Sequence, residues 1–174
     1  MQLILPDRRY EASYQTAHDE YTALGVTQYP LSNPRAADIF AKFEQYRLGY
    51  NLKPGRVPAT YLWLVEGDEF LAEACIRHTL TGSLLQYGGH IGYGVRASRW
   101  NQGYGTQLLA LTLAYARDTL ALHRILVTCN DDNVGSARVI EKNGGILENR
   151  VVNTIDGQPI VTRRYWIDIH TERN

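Results

Sequence analysis

The sequence predicts one domain of mixed α and β structure (an α+β, or mixed α/β, fold) rather than a regular β-α-β alternation. The chain has 174 residues, the length of a single compact domain, and we take residues 1–174 as that domain. Apolar residues recur with strand and helix periods in an irregular order along the chain. A single helix followed directly by a buried strand indicates one parallel crossover.

The first quarter of the chain predicts a strand and two helices. Leu3–Leu5 is a short apolar run that Pro6 ends, and the segment from there to Leu24 has loosely helical spacing. A second helix is predicted to start at Ser32-Asn33-Pro34 and to continue to Leu48, because Gly49 and Pro54 break the pattern.

Three strands are predicted next. Tyr61–Val65 and Phe70–Arg77 form a hairpin around residues 66–69, and a loop that contains Gly82, Gly88 and Gly89 follows. His90–Arg96 is the third strand, and its interior glycines, Gly92 and Gly94, indicate close approach of another backbone or of a ligand.

The C-terminal half predicts two helices, a buried strand and a hairpin. A helix that begins at Gly105 is so apolar that we expect it to be buried against a sheet. Arg124–Cys129 is a buried strand parallel to His90–Arg96, and a short helix follows over Asn133–Glu141. Ile146–Ile155 and Ile160–Ile169 form a hairpin around Asp156-Gly157.

Composition excludes several classes of protein. Lys and Arg number 18, and so do Asp and Glu, so no net field favours nucleic acid or an anionic membrane. The longest apolar stretch, Leu108–Ala116, is far below the roughly 18 residues of a membrane span. Residues 1–5 are too short for a signal peptide, so we expect a cytoplasmic protein. Cys75 and Cys129 lack metal-ligand spacing, and we interpret both as buried thiols with no metal site.

The segment with chemical character lies between strand His90–Arg96 and the apolar helix. It reads Asn101-Gln102-Gly103-Tyr104-Gly105-Thr106, and its amides at a helix start could bind a pyrophosphate. It lacks the Lys-Ser/Thr of a P-loop, and Leu108 stands where a dinucleotide fingerprint needs a third glycine. By itself, Gly103-x-Gly105 could equally be an ordinary turn before a helix.

The wider stretch His90–Gly145 resembles the GNAT superfamily of N-acetyltransferases, through the order of strand, glycine loop, buried helix, strand and Asn133-x-x-Ser136. The resemblance implies a mostly antiparallel, twisted sheet with flanking helices, splayed between parallel strands His90–Arg96 and Arg124–Cys129. It also implies acetyl-CoA as cosubstrate, with pantetheine along the strand edge in the splay. The residues implied to bind it are Tyr93, Gly94, Val95, Asn101, Gln102, Gly103, Tyr104, Gly105, Thr106, Asn133 and Ser136. Asn133 would also cap its helix.

Two positions depart from the family pattern. Trp100 stands where the family usually has Arg or Gln, which should affect binding little because backbone amides hold most of the pyrophosphate. Ile140 stands where many members have a tyrosine that protonates the departing thiolate, so a tyrosine acid at that place is excluded.

Glu73 and His90 are the candidates for the general base that deprotonates the acceptor amine, with His78 and Tyr93 behind them. Strand alternation places Phe70, Ala72, Ala74 and Ile76 on one face, and Leu71, Glu73, Cys75 and Arg77 on the other. Glu73 could therefore instead pair with Arg77, and His90 could be a hydrogen-bonded histidine at a strand end. Arg77-His78 could line the acceptor pocket.

These observations predict an enzyme that transfers an acetyl group directly from acetyl-CoA to a primary amine of a small molecule or peptide. The rival interpretation is a non-catalytic acyl-CoA binding or sensing module on the same fold. A third, an interaction domain, rests on the aromatic terminal hairpin, whose edge could also form a homodimer. The identity of the acceptor is not readable from the sequence.

Overall fold

Seven strands form one sheet in a computed structural model that describes residues 1–26, 32–155 and 157–169. The strands are β1 (Gln2–Ile4), β2 (Ala59–Glu66), β3 (Glu69–Arg77), β4 (Ile91–Val95), β5 (Arg124–Asn130), β6 (Ile146–Ile155) and β7 (Gln158–Asp168). Their order across the sheet is β1-β2-β3-β4-β5-β7-β6.

The described residues form five α-helices, and four of them pack on the two faces of this sheet. The five are α1 (Glu11–Ala23), α2 (Ile39–Leu48), α3 (Gly82–Gln86), α4 (Tyr104–Asp118) and α5 (Val134–Lys142), and short 3-10 turns lie at Arg8–Tyr10 and Ala97–Arg99. Helices α1 and α2 pack around Trp63 and Phe70 on one face. Helices α4 and α5 pack on the other face, over the buried side chains of β5 and β7.

The sheet divides at its centre. All neighbouring strands are antiparallel except β4 and β5, which are parallel and paired only at Ile91 and Val127. After that single pair the two strands diverge. The mostly antiparallel sheet with one splayed parallel pair confirms the predicted fold class.

Two local predictions need correction. Helix α3 lies in the glycine-containing segment that we expected to be a loop, and Thr81 Oγ1 accepts from the Leu84 amide at its start. Helix α2 starts at Ile39 rather than at Ser32-Asn33-Pro34, because Asp38 is its N-cap residue. The predicted turn at Asp156-Gly157 lies partly outside the described residues, since Asp156 is not described.

A β-bulge changes the faces of two residues in β3. The register between β2 and β3 shifts at Leu64 and Val65, so Phe70 lies on the face of Trp63, and Leu71 packs with Ala72 and Ala74, the reverse of what simple alternation predicted for both. Phe70 instead packs against Tyr14, with 4.9 Å between ring centroids. The bulge thereby helps to hold α1 over the middle of β3.

Helix α4 is buried on one face only. Leu108, Leu109 and Leu113 pack on the sheet as expected, whereas Leu111 is exposed, so the helix is half exposed where its apolar sequence predicted burial. No helix in residues 1–26, 32–155 and 157–169 is long and apolar enough to cross a membrane.

Candidate active site

The gap between β4 and β5 exposes the edge of β4. The Arg77 amide donates to the His90 carbonyl at 2.7 Å, which makes His90 a hydrogen-bonded partner of β3. Along an antiparallel strand, residues that hydrogen-bond to the neighbouring strand alternate with residues whose backbone groups point away from it. Counting from His90, the amides of Tyr93 and Val95 therefore point away from β3 and into the gap. A peptide-like ligand that entered the gap would find unpaired backbone groups there.

A cleft of about 320 Å³ occupies this gap. Residues from β3, β4, β5, β6 and β7, from the start of α5 and from the segment before β4 line it. The described residues that line it are Arg77, Tyr87, Gly88, Ile91, Gly92, Tyr93, Thr128, Cys129, Asn130, Asn133, Ser136, Ile155 and Thr162. Tyr93, Asn133 and Ser136 therefore line the same cleft, whereas Glu73 and His90 are not among the lining residues.

The predicted pyrophosphate loop lies at the end of β4, before α4. Gly103 has a φ of 86°, which favours glycine, and a Cβ built there would meet no heavy atom within 4 Å. Gly103 is also the N-cap residue of α4 and makes no side-chain cap, so the first amides of the helix are open to a ligand. This geometry suits an anion at the positive end of the helix dipole.

Gly105 has a different role from Gly103. A Cβ at Gly105 would lie 3.3 Å from Val139 and 3.5 Å from Val95, so this glycine allows α4 to pack closely against α5 and β4. The second glycine of the loop therefore serves helix packing, whereas we expected both glycines to make room for the anion.

Trp100, which departs from the family pattern, contacts the end of β4. Its Nε1 donates to the Val95 carbonyl at 2.8 Å, and its ring lies edge-on to that of Tyr21, with centroids 5.5 Å apart. The Tyr21 hydroxyl donates to the same carbonyl. Trp100 thus fixes the loop against β4 and α1.

The start of α5 forms the opposite wall of the cleft. Asn133 Oδ1 accepts from the Ser136 amide at 2.9 Å, so Asn133 is an N-cap residue, as expected. The Tyr93 hydroxyl lies 2.8 Å from Ser136 Oγ and links β4 to this helix. Burial raises the pKa of Tyr93, so its hydroxyl stays protonated at neutral pH. Ile140, one turn further along α5, is fully buried.

Glu73 lies beneath α1 and contacts four polar groups. Its Oε1 accepts from the Ser32 amide and hydroxyl, each at 2.9 Å. Its Oε2 accepts from Trp63 Nε1 at 2.9 Å and lies 3.1 Å from the Tyr14 hydroxyl. Burial raises the pKa of Glu73, and these hydrogen bonds to the carboxylate oppose that effect. Glu73 does not pair with Arg77, although both lie on the same face of β3.

His90 joins the two parallel strands at the closed end of the gap. Its amide donates to the Leu126 carbonyl at 2.7 Å, and its Nδ1 accepts from the Leu126 amide at 2.9 Å. Since a backbone amide can only donate, the neutral imidazole carries its hydrogen on Nε2. Burial and the nearby Arg77 cation lower the pKa of His90 to about 4. These contacts match the alternative of a hydrogen-bonded histidine at a strand end.

The two cysteines differ in exposure. Cys129 is buried as expected, whereas Cys75 is half-buried, and neither forms a disulfide. Burial raises the pKa of each thiol to about 11, so both are protonated at neutral pH. No group of three or more His, Cys, Asp or Glu side chains in the described ranges is placed to hold a metal ion.

Sequence reasoning missed several contributors to the cleft. Thr128 Oγ1 accepts from the Gly88 amide at 2.9 Å and so ties the segment before β4 to β5. A threonine inside an otherwise apolar strand was a signal that could have drawn attention to it. Tyr87, on the same segment, also lines the cleft.

A sheet that opens between two central parallel strands, beside an uncapped helix start, is the arrangement of an acetyltransferase. The chain belongs to the acetyltransferase (GNAT) domain family, whose model matches residues 7–146. The resemblance seen in the sequence is therefore confirmed. None of the curated protein sequences compared with this chain matched it.

Solved acetyltransferases share the fold at low sequence identity. The chain is similar to ribosomal-protein-S5-alanine acetyltransferase from Vibrio fischeri, with 15% identity, a TM-score of 0.74, and coverage of 99% of this chain and 95% of that one. It is also similar to the microcin C7 self-immunity acetyltransferase MccE, solved with acetyl-CoA and AMP, with 14% identity and a TM-score of 0.70. That match covers 95% of this chain and 91% of MccE. A spermidine N-acetyltransferase from Vibrio cholerae is similar with 14% identity and a TM-score of 0.64, and the match covers 97% of this chain and 95% of that one.

Proposed function

We propose that this protein is an N-acetyltransferase that transfers the acetyl group of acetyl-CoA directly to a primary amine. The observation that carries the proposal is the cleft between β4 and β5, which has an open glycine loop and an uncapped helix start at the end of β4. Membership of the acetyltransferase (GNAT) family and the solved complex of MccE with acetyl-CoA support the choice of cosubstrate.

The proposed cosubstrate site follows the edge of β4. The pyrophosphate binds the loop Asn101–Thr106, chiefly through backbone amides around Gly103, while pantetheine runs into the gap. Its two amides pair with backbone groups of Tyr93 and with the Val95 amide, as an added strand would, because the Val95 carbonyl already accepts from Trp100 and Tyr21. Asn133 and Ser136 lie on the facing wall of the cleft, where their polar atoms can contact the pantetheine.

The proposed reaction needs a neutral amine and a stabilised oxyanion. The amine attacks the thioester carbonyl, and the resulting tetrahedral intermediate loses a proton from its nitrogen and expels the thiolate of CoA, which takes up one proton, so that an amide and the free thiol are formed. An amide of β4 that faces the gap can donate to the oxyanion. The role of Glu73 or His90 as general base stays a prediction. The carboxylate oxygens of Glu73 and the Nδ1 of His90 already accept hydrogen bonds, which opposes uptake of a proton from the amine.

The first test is binding of CoA by thermal shift. Gly103→Asp places a carboxylate in the space left for the anion, so the stabilisation by CoA should disappear. Gly55→Asp is the matched control, since Gly55 also has a positive φ, of 80°, and open space around its Cβ. If the Gly103 variant keeps the wild-type shift, this assignment of the site is wrong.

The second test is release of the CoA thiol in the presence of amines. A panel of amino acids, polyamines, simple amines and peptides should include at least one acceptor, and the acetylated product should carry an amide. Binding of CoA without release across the whole panel would contradict catalysis and favour the sensing module. Absence of binding would contradict both.

A further inference from the structure

One charged side chain lines the cleft among the described residues, and it is a cation. Arg77 projects from β3, and its Nη2 lies 3.7 Å from where a Cβ would stand on Gly92. The guanidinium therefore covers the part of β4 that has no side chain of its own. Acidic residues are absent from the described lining, so the cleft has net positive charge.

Arg77 uses only part of its donor capacity within the protein. Its Nη1 donates to the carbonyls of Gly88 at 2.8 Å and Gly89 at 3.1 Å. Nε and Nη2 make no hydrogen bond with any residue in the described ranges, and no carboxylate there lies within ion-pair distance. By contrast, Arg96 pairs with both Glu20 and Glu69.

Glu73 on β3 and Asp131, next in sequence to the cleft-lining Asn130, are already committed to other partners. Glu73 shares the face of β3 with Arg77, but both of its oxygens are occupied beneath α1. Asp131, which follows β5, pairs with Arg150 and Arg163. A second ammonium on the acceptor would therefore meet a cation in the cleft and no carboxylate among the described residues that line it.

Arg77 is too far from the glycine loop to serve the phosphates of CoA. It is opposite His90 in the β3–β4 register, whereas the loop follows Val95 at the other end of β4. Gly92, which the guanidinium approaches, lies three residues of strand, or about 10 Å, before Val95. The guanidinium therefore lies at the end of the cleft away from the proposed pyrophosphate.

We infer that the acceptor is a small amine that also bears a carboxylate, and that the free Nε and Nη2 of Arg77 bind this carboxylate. This inference rests on the proposed function. A guanidinium and a carboxylate match as a two-point, charge-assisted pair, which fixes the orientation of the acceptor as well as its affinity. The carboxylate held near Gly92 would leave the amine free to reach a thioester in the gap.

The test compares acceptors that differ only in the carboxylate. Alanine with alaninamide, and 4-aminobutanoate with 1,4-diaminobutane, form two matched pairs, and the readout is the ratio of kcat/KM within each pair. We expect the wild-type protein to favour the carboxylate in at least one pair. Arg77→Gln should reduce that preference by about tenfold or more, since a hydrogen bond to a charged group is lost.

Two further variants separate recognition from structure. Arg77→Lys keeps the charge but not the two-point geometry, so it should retain part of the preference. Arg117→Gln removes the same charge at the C-terminal end of α4, where Arg117 pairs with Asp118, and should leave the ratio unchanged. Because every variant is compared through a ratio, differences in amine reactivity cancel.

The outcomes separate the two proposals. A purely structural Arg77, tied to Gly88 and Gly89, would lower both rates of a pair equally, and an unchanged ratio in Arg77→Gln would overturn the inference. With kcat/KM expressed per neutral amine, a wild-type preference for the amide and the diamine would overturn it without any variant. If CoA binds but no amine releases thiol, the proposed function fails, and the inference fails with it.

Discussion

Replacing His90 with asparagine tests how the two halves of the sheet are joined. His90 holds β4 to β5 through the amide and the carbonyl of Leu126, and its Nδ1 must stay unprotonated to accept the Leu126 amide. In His90→Asn, the side-chain amide oxygen can accept the same hydrogen bond. Asparagine does not titrate, so the variant separates the hydrogen bond from the protonation of the ring.

The sign and size of the effect follow from the pKa of His90, which is lowered from 6.5 to about 4 in the folded protein. As pH falls through 6.5, the unfolded chain takes up a proton that the folded protein does not bind until about pH 4. The free energy of unfolding therefore decreases across this window. The titration of His90 should lower the free energy of unfolding by about 2 kcal/mol at pH 5, and by about 3 kcal/mol once the pH is below the pKa of the folded protein.

Urea unfolding at pH 7.5 and pH 5 measures this loss. The wild-type protein should lose about 2 kcal/mol more than His90→Asn, equivalent to roughly 4–8 °C in Tm for a chain of this size. Burial also lowers the pKa values of His18 and His78, but these residues titrate in both proteins and cancel. Equal losses in the two proteins would refute the reasoning.

The same variant tests the predicted catalytic role of His90. A general base contributes about 10²-fold or more, and the gap should narrow as pH rises and the amine deprotonates without help. The thermal shift with CoA must be measured alongside, because a distorted cleft would lower both activity and binding. An unchanged kcat/KM near pH 7 with normal CoA binding would leave His90 only the role of joining the strands.

Two further predictions concern Glu73 and the cysteines. In Glu73→Gln, the new side-chain NH2 group faces the N–H of Ser32 in one orientation and that of Trp63 in the other, so one donor always loses its acceptor. The free energy of unfolding in urea should therefore fall by about 3 kcal/mol. Unchanged stability would mean that these contacts do not hold the carboxylate. After incubation with acetyl-CoA and denaturation, mass spectrometry should find no acetyl group on Cys75 or Cys129, because burial raises both thiol pKa values to about 11. Acetylation of either would contradict direct transfer.

The order of the elements and the position of the glycine loop could be predicted because their signals are local. Apolar periodicity defines a helix or strand within a few residues, and Gly103 shows its φ requirement in the loop itself. The sequence therefore indicated the family correctly. It did not indicate helix α3, whose five residues are too few for a periodic signal.

The roles of the candidate site residues were decided by tertiary structure, because their partners are distant in sequence. Tyr14 is 59 residues from Glu73, and Ser32 is 41 residues from it, so no pattern around Glu73 shows that its oxygens are occupied. Likewise, the spacing of Glu73 and Arg77 suggested an ion pair that the fold does not form. A charge finds its partner through packing of whole elements. Local sequence thus determined which groups are present in this protein, and the packing of α1 and the divergence of β4 from β5 decided which of them face the cleft.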